Sequence, residues 1–288
     1  IPGEWAGKAL SSFLRNQLNL SRTRIRILKK NDGIFVNHNP VWVSYQLQGG
    51  EDLELIFPRP EQHILPEALA LSIIYEDDDL IVVDKPAGQV VHPVKEHQNG
   101  TLANALIEHW RQTGSHSATF HPVHRLDRLT SGAVLIAKSP WIHQQMSLQL
   151  GNQKFHRLYL AICRGIPPKT SGLISLPVAR QVAAGLIPSK VDRAIDVHSN
   201  QAPVSHGVKW AVDEQGKLAV TRYRILKKSA DCCLIALKLL TGRTHQIRIH
   251  LSHLGFPLWG DSLYGGSQPD FQRPALHAAR LSFQHPRT

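Results

Sequence analysis

Asp127 is the residue of this sequence whose surroundings most clearly suggest chemistry. It lies between Arg125 and Arg128 in the string His-Arg-Leu-Asp-Arg-Leu-Thr-Ser-Gly at 124–132. A nearby positive charge favours the ionised form of a carboxyl group, so we expect Asp127 to be an anion. An ionised carboxylate can attack an electron-poor carbon or remove a proton. The same local pattern is also typical of a structural ion pair in a loop.

A metal centre is the second kind of chemistry that the sequence raises, because it contains 17 histidines. His245, His250 and His253 fall near one another on a predicted helix. Their spacing does not give the pair at i and i+4 that places two ligands on one helix face, and no Cys or carboxylate cluster completes a site. We therefore expect no metal.

Capping residues and the spacing of apolar side chains predict the elements that must position these groups. The predicted helices are 10–18, 21–30 (capped by Ser21), 101–110, 139–150 and 243–254. The predicted strands are 34–37, 71–75, 80–83, 134–137, 154–163, 220–226 and 232–240. The pattern indicates a mixed α and β protein dominated by strands. The segment 165–218 has weak periodicity and yields no prediction.

The length of 288 residues predicts two folded units, one small and one large. Three prolines, Pro58, Pro60 and Pro66, interrupt the pattern and favour a restricted linker. We predict a small α+β unit at 1–57, a linker at 58–70 and a large unit at 71–288.

The balance of charge points to a polyanionic partner. Lys and Arg number 33 against 22 Asp and Glu, and the isoelectric point is near 9.8. Five of the cations lie on the predicted second helix: Arg22, Arg24, Arg26, Lys29 and Lys30. This charge run is also compatible with a solvated helix face. The Ser-Arg start of the helix, Gly33-Ile34-Phe35-Val36-Asn37 and Gly49-Gly50-Glu51-Asp52 resemble an S-four-type RNA-binding module, which implies an RNA-binding role for residues 1–57.

The cysteines and the hydropathy of the sequence indicate the compartment in which the protein works. Cys163, Cys232 and Cys233 do not make a disulfide framework, which fits a reducing cytosol. No apolar run reaches the roughly 18 residues of a membrane span. We expect a cytoplasmic monomer without a membrane partner. The chain begins at Ile1, so we also expect that some N-terminal sequence precedes it.

Five segments, in order, resemble the motifs of RluA-type pseudouridine synthases. They are Tyr75-Glu76-Asp77-Asp78-Asp79-Leu80 with Asp84-Lys85-Pro86-Ala87-Gly88 and Val91-His92-Pro93; the string at 124–132; Leu158-Tyr159-Leu160-Ala161; Thr241-Gly242-Arg243-Thr244-His245-Gln246-Ile247-Arg248-Ile249-His250; and Gly260-Asp261-Ser262-Leu263-Tyr264-Gly265 with Leu276-His277-Ala278. The resemblance implies an α+β fold with a mixed, mainly antiparallel sheet, and an enzyme that isomerises uridine in RNA without a cofactor.

The resemblance also implies roles for individual residues. Asp127 is the essential carboxylate, which attacks the sugar, stabilises its positive charge or removes a sugar proton. Arg248 pairs with Asp127, and Tyr159 stacks on the target base and assists removal of the proton from carbon 5. Arg125 fills the gap left by the extruded uridine. The further RNA contacts implied are His124, Arg128, Arg243 and His245.

Two other functions fit some of these observations. A non-catalytic RNA-binding or ribosome-assembly factor would keep the basic surface but is expected to lose Asp127, Tyr159 or Arg248, and all three are present. A base-hydrolysing glycosidase would release free uracil. The sequence does not indicate whether the RNA is ribosomal or transfer RNA.

Overall fold

Proline-rich sequence around residue 60 coincides with the division of the chain into two units, Ile1–Gln62 and His63–Thr288. The computed structural model describes residues 1–58, 63–182 and 208–287. The division falls inside the segment 58–70, where the sequence predicts a linker.

The first unit packs two helices with a small antiparallel sheet. Its elements are α1 (Leu10–Asn16), α2 (Arg22–Lys30), β1 (Ile34–Val36), β2 (Asn39–Pro40) and β3 (Leu53–Leu55), with strand order β2-β1-β3. The Ser21 side chain accepts a hydrogen bond from the Arg24 amide and caps α2 as predicted. Leu10, Leu14 and Leu28 are fully buried and form the centre of its core.

The turn between β1 and β2 shows how the sequence reaches a tight hairpin without glycine. Val36 pairs with Asn39, and the two residues between them, Asn37 and His38, have φ of 47° and 64°. Positive φ at both central positions is the type I′ geometry that two-residue hairpins favour. Asn tolerates this conformation well, and His is also enriched there among non-glycine residues.

The second unit is built on one long mixed sheet with three helices. Its strands are β4 (Ile73–Glu76), β5 (Leu80–Lys85), β6 (His121–Pro122), β7 (Ser131–Ala137), β8 (His156–Arg164), β9 (Ser171–Val182), β10 (Val208–Val212), β11 (Lys217–Lys228), β12 (Cys232–Leu239) and β13 (Leu276–Ser282). Its helices are α3 (Leu102–Gln112), α4 (Pro140–Gly151) and α5 (Gln246–His253). The strand order is β10-β9-β11-β12-β8-β13-β7-β5-β4, with β6 paired to β7.

The side chains of β5 and β7 are buried on both faces of the sheet. Ile81 and Val83 of β5 belong to a large core cluster that includes α3 and β8. Leu80 and Val82 belong to a second cluster with α4. A strand covered on both sides needs a continuous apolar run, which β7 supplies in residues 133–137.

The strand β13 lies between β7 and β8, and its pairing with β7 is the parallel contact in a sheet whose other strand pairs are antiparallel among the described residues. Gly132 of β7 faces Ala278 of β13 with φ of 114°, and a Cβ at Gly132 would lie 2.3 Å from the Ala278 carbonyl oxygen. Only glycine permits this conformation and this approach of two backbones. Gly132 therefore allows β7, the strand that follows the Asp127 loop, to pair closely with β13.

The structure confirms the predicted helices and the mainly antiparallel mixed sheet. It also shows β9 and β10 within 165–218, where the sequence yields no prediction, and residues 183–207 of that segment lie outside the described residues. The predicted helix 243–254 begins at Gln246 instead of Arg243. His245 has φ of 53°, a left-handed conformation that cannot continue an α-helix towards its N-terminus.

Candidate active site

Asp127 lies in the loop between β6 and β7 and lines a cavity of about 650 Å³ in the second unit. The Asp127 carbonyl accepts a hydrogen bond from the Thr130 amide at 3.0 Å, which closes the turn before β7. The carboxylate keeps 27% of its side-chain surface exposed. Asp127 thus lies in a hydrogen-bonded turn, and its carboxylate is open to a ligand in the cavity.

Lys85, at the end of β5, holds this loop by a hydrogen bond to its backbone. It is fully buried and donates hydrogen bonds to the carbonyl oxygens of Pro86 at 2.7 Å, Gln89 at 2.9 Å and Arg128 at 3.3 Å. These acceptors use all three N–H groups of an ammonium. Burial lowers the pKa of Lys85 to about 8, although the negative charge of Asp127 acts in the opposite direction.

Arg248 on α5 is clamped by Asp261 and faces Asp127. Its Nε and Nη2 donate to the two carboxylate oxygens of Asp261, both at 2.8 Å. Its Nη1 lies 3.9 Å from Oδ2 of Asp127. The sequence predicts that Arg248 pairs with Asp127, and the structure adds that the short bidentate pair is made with Asp261.

The clamp keeps Arg248 cationic in spite of its burial. Burial alone would lower the pKa of Arg248, but the hydrogen-bonded Asp261 carboxylate and the charge of Asp127 outweigh burial, so the pKa is raised. The guanidinium carbon also lies 4.9 Å from the centre of the Tyr264 ring. Asp127 therefore faces a positive charge whose orientation does not depend on Asp127 itself.

His245 is the second group within 4 Å of the Asp127 carboxylate. Its Nε2 lies 3.9 Å from Asp127 Oδ2, and its Nδ1 shares a hydrogen bond of 2.9 Å with the Tyr264 hydroxyl. Burial lowers the pKa of His245, which favours the neutral ring. The left-handed backbone costs on the order of 1 kcal/mol, and such strain is often found at functional positions.

Tyr159 stands on the buried face of β8 and lines the same cavity. Its side chain is 4% exposed. Burial raises the pKa of Tyr159 to about 12, Arg157 acts against this shift, and Asp127 adds to it. The phenol is therefore neutral at physiological pH and is influenced by the charge on Asp127.

Seven residues that the sequence singles out line this one cavity: His124, Arg125, Asp127, Tyr159, Arg243, His245 and Arg248. They come from three separate parts of the chain. Arg128 does not line the cavity, and its side chain is exposed. His124 is buried, and its Nε2 accepts a hydrogen bond from the Leu135 amide at 3.2 Å.

The five predicted cations of α2 belong to the first unit. Arg22, Arg26, Lys29 and Lys30 are exposed. Arg24 is partly buried, with its guanidinium carbon 4.0 Å from the centre of the Phe57 ring, and burial lowers its pKa. Four of the five side chains are therefore available to a partner, whereas Arg24 also packs within the unit.

Sequence reasoning does not identify Asp261, Arg157 and Lys85 as parts of the site. Asp261 and Lys85 stand inside segments that resemble family motifs, so a signal is present for both. Arg157 lies two residues before Tyr159 on β8, and strand alternation places both side chains on one face.

Histidines do not assemble a metal site in the part of the chain that the structure describes, where no group of three or more possible ligands occurs. His250 instead contacts the Thr221 hydroxyl at 3.0 Å and the Leu176 carbonyl at 3.2 Å. Within the same described ranges, no helix is long and apolar enough to cross a membrane.

Comparisons with known proteins show similarity in both sequence and fold. Residues 79–253 match the family described as RNA pseudouridylate synthase. The chain is 36% identical over 290 residues to the uncharacterized RNA pseudouridine synthase YlyB of Bacillus subtilis, covering 99% of this chain and 88% of that protein. It is 35% identical to ribosomal large subunit pseudouridine synthase D of Nitrosomonas europaea, covering 99% and 80%. Among solved structures, it is similar to human RNA pseudouridylate synthase domain containing 1, with 26% identity, a TM-score of 0.52 and coverage of 75% and 79%.

Proposed function

The chain belongs to the RNA pseudouridine synthase family, and from that premise we propose that Asp127 begins the isomerisation of a uridine in RNA within the cavity. The enzyme class is that of the RluA-type synthases. The observation that carries the role of Asp127 is its position in the cavity wall, opposite the clamped cation of Arg248.

The reaction breaks the bond between N1 of uracil and C1′ of ribose. The base then turns and is rejoined to C1′ through carbon 5, the proton on carbon 5 leaves, and N1 gains a proton. Positive character develops at C1′ as the base departs, and a fixed carboxylate stabilises such charge. The atoms balance without an oxidant, a reductant or a group donor, so the proposal includes no cofactor.

Asp127 supplies the anion of this scheme, and Arg248 sets its direction. Two routes stay open: attack of a carboxylate oxygen on C1′, or removal of the proton from C2′. Both need an ionised carboxylate with one oxygen free towards the cavity. Arg248 and His245 both lie 3.9 Å from Oδ2, which leaves room for reorganisation when a nucleotide enters.

Tyr159 gives the base a face to stack on and a hydroxyl near its reacting edge. With a pKa of about 12, the hydroxyl is protonated at neutral pH. The hydroxyl therefore acts as a hydrogen-bond donor, or as a proton relay. In a relay it accepts the proton of carbon 5 while its own proton moves to a second acceptor. Tyr159 does not act as a phenolate that is already deprotonated before the reaction, because burial of the ring disfavours the charged form.

The uridine has to leave its stack before it enters this cavity, because a base inside a helix is not accessible to Asp127. Arg125 is exposed at the rim, where we place it in the gap that the uridine leaves. Relatives named ribosomal large subunit pseudouridine synthase D favour ribosomal RNA over transfer RNA as the substrate.

The first unit is proposed as an S-four-type RNA-binding module that holds RNA through phosphate contacts of α2. Its exposed cations support this proposal. The free thiols of Cys163, Cys232 and Cys233 suit a reducing compartment, and we propose that the enzyme works in the cytoplasm as a monomer.

The direct test is tritium release from ribosomal RNA transcripts that carry tritium at carbon 5 of uracil. The wild type is expected to release tritium and to form no free uracil. Asp127→Asn removes the charge but little volume, so release falls by about 10³-fold or more while the melting temperature and RNA affinity change little.

Asp78→Asn is the matched control, because Asp78 is an exposed carboxylate in the same unit. This variant is expected to retain the wild-type rate. Normal release by Asp127→Asn would refute the proposed mechanism. Free uracil as the product would identify a glycosidase, and no release from ribosomal or transfer RNA would favour a binding factor.

A further inference from the structure

Arg157 is a buried cation in the cavity wall that the reaction scheme does not use. The residue is 7% exposed and lines the cavity. Its Nε has no hydrogen-bond partner in the structure, and its Nη2 makes one long contact of 3.4 Å with the Thr241 carbonyl. Among the residues that the structure describes, no carboxylate forms a salt bridge with Arg157. A buried guanidinium without an anion is costly unless a ligand completes it.

His124 is a second buried donor in the same wall. It is 7% exposed, and its Nε2 accepts the Leu135 amide hydrogen. Burial, together with the charge of Arg157, lowers the pKa of His124 to about 3, so the ring is neutral. A neutral ring that accepts at Nε2 carries its proton at Nδ1. This Nδ1 is buried without a hydrogen-bond partner.

The position of Arg157 along β8 suggests which part of a nucleotide it meets. Arg157 and Tyr159 are two residues apart on one strand face, which separates their Cα atoms by about 7 Å. If a base stacks on Tyr159, Arg157 lies at a distance that suits a group outside the ring, such as a phosphate attached to the sugar. Gly242 leaves room beside the guanidinium, since a Cβ at that position would lie 3.0 Å from Arg157 Nη1.

We propose that Arg157 and His124 form a subsite for one of the phosphate groups that flank the target uridine. Arg157 supplies the positive charge and the planar fork that suits phosphate oxygens. His124 donates through Nδ1 to the same group. A phosphate satisfies both donors and the buried charge, whereas a uracil carbonyl oxygen would satisfy the donors and leave the charge unpaired. The inference rests on the proposed function, because it assumes that a uridine of RNA occupies the cavity.

The test compares Arg157→Gln with Arg164→Gln, which removes the same charge from the exposed end of β8. KM for tritium-labelled ribosomal RNA transcripts is measured across a range of salt concentrations. Arg157→Gln is expected to raise KM about tenfold or more, with a smaller change in kcat. The slope of log KM against log salt should fall by about 0.7, the value for one neutralised phosphate on a single strand. Arg164→Gln should keep the wild-type slope.

An unchanged slope in Arg157→Gln overturns the proposal. If KM rises without a change of slope, the group bound is a base carbonyl or water, and the phosphate assignment is wrong. Arg157→Lys keeps the proposal testable if the glutamine variant does not fold. It keeps the charge, so it should retain the wild-type slope while KM rises from loss of the fork.

The unmodified enzyme provides an independent measurement. Uridine, uridine 3′-monophosphate and uridine 5′-monophosphate are tested as inhibitors of tritium release by the wild type. One monophosphate is expected to inhibit at least about tenfold better than uridine, and no difference among the three overturns the subsite. Tritium release by the wild type separates a failure of the subsite from a failure of the proposed function. If the wild type releases tritium, the proposed function stands even where the subsite is refuted. If it releases none, both proposals are refuted.

Discussion

Two groups of positive side chains in this protein differ in their surroundings. The cations Arg22, Arg26, Lys29 and Lys30 of α2 are exposed to solvent. In the cavity of the second unit, Arg157 and Arg248 are each less than 8% exposed. The exposed cations are hydrated and need no partner, whereas each buried cation requires an anion or a bound ligand. The difference separates charges that are free to meet a partner in solution from charges that the fold or a ligand must neutralise.

The clearest test of this difference is the removal of one buried cation. Arg248→Met leaves the fully buried Asp261 carboxylate without its partner. We expect the free energy of unfolding to fall by about 3–5 kcal/mol and tritium release to be abolished. Arg26→Met on α2 should change the free energy of unfolding by less than about 0.5 kcal/mol. Urea unfolding of both variants measures the contrast, and equal decreases would show that burial does not distinguish the two groups.

The neutral phenol of Tyr159 is expected to affect rate more than affinity. Tyr159→Phe keeps the buried ring and removes the hydroxyl, so kcat should fall by about 10²-fold or more with little change in KM. Single-turnover tritium release measures the chemical step. A normal rate in this variant would leave the ring with a stacking role alone.

His124 is expected to make the folded state sensitive to acid. Its pKa is about 3 in the folded protein and near 6.5 in an unfolded chain. Between these values the unfolded state binds a proton that the folded state does not, so stability falls as the pH is lowered from 6.5 towards 3. The contribution is at most about 1.4 kcal/mol per pH unit.

Urea unfolding between pH 7 and pH 4 checks this prediction. His124→Gln can still accept the Leu135 amide hydrogen and has no titrating ring. Its stability should depend less steeply on pH than that of the wild type, by about one proton. Equal pH dependence would mean that folding does not change the pKa of His124.

The smallest expected effect comes from the exposed cations. Lys29→Gln with Lys30→Gln should reduce the salt slope of RNA binding by about 0.7–0.9 for each phosphate that these lysines neutralise. The value of kcat at saturating RNA and the melting temperature should stay at wild-type levels. Filter binding across salt concentrations measures the slope, and an unchanged slope would make α2 a solvated helix face.

Local patterns in the sequence predict the elements of this fold well. Ser21, Thr101 and Ser139 mark helix starts because capping is an interaction within one turn of the chain. Alternation predicts β8 and β12 for the same reason. Partners distant in sequence are not readable in this way. The position of β13 between β7 and β8 joins residues 131 and 277, and no periodicity encodes that distance.

The candidate site shows the same boundary between local and distant information. Motifs in the sequence identify Asp127, Tyr159 and Arg248, and the structure brings them to one cavity. That Arg248 makes its short bonds to Asp261 depends on how α5 packs against the following loop. The absence of a described anion beside Arg157 is a property of the folded cavity, so it is not visible in the sequence.

The placement of β13 also determines when during synthesis the central sheet can be completed. Asp127 precedes β7 and Tyr159 lies on β8, and in the described sheet only β13 bridges these two strands. A chain that has not yet produced residues 276–282 lacks the backbone hydrogen bonds that join β7 to β8 through β13. The strands next to Asp127 and Tyr159 are then held together by side-chain packing alone.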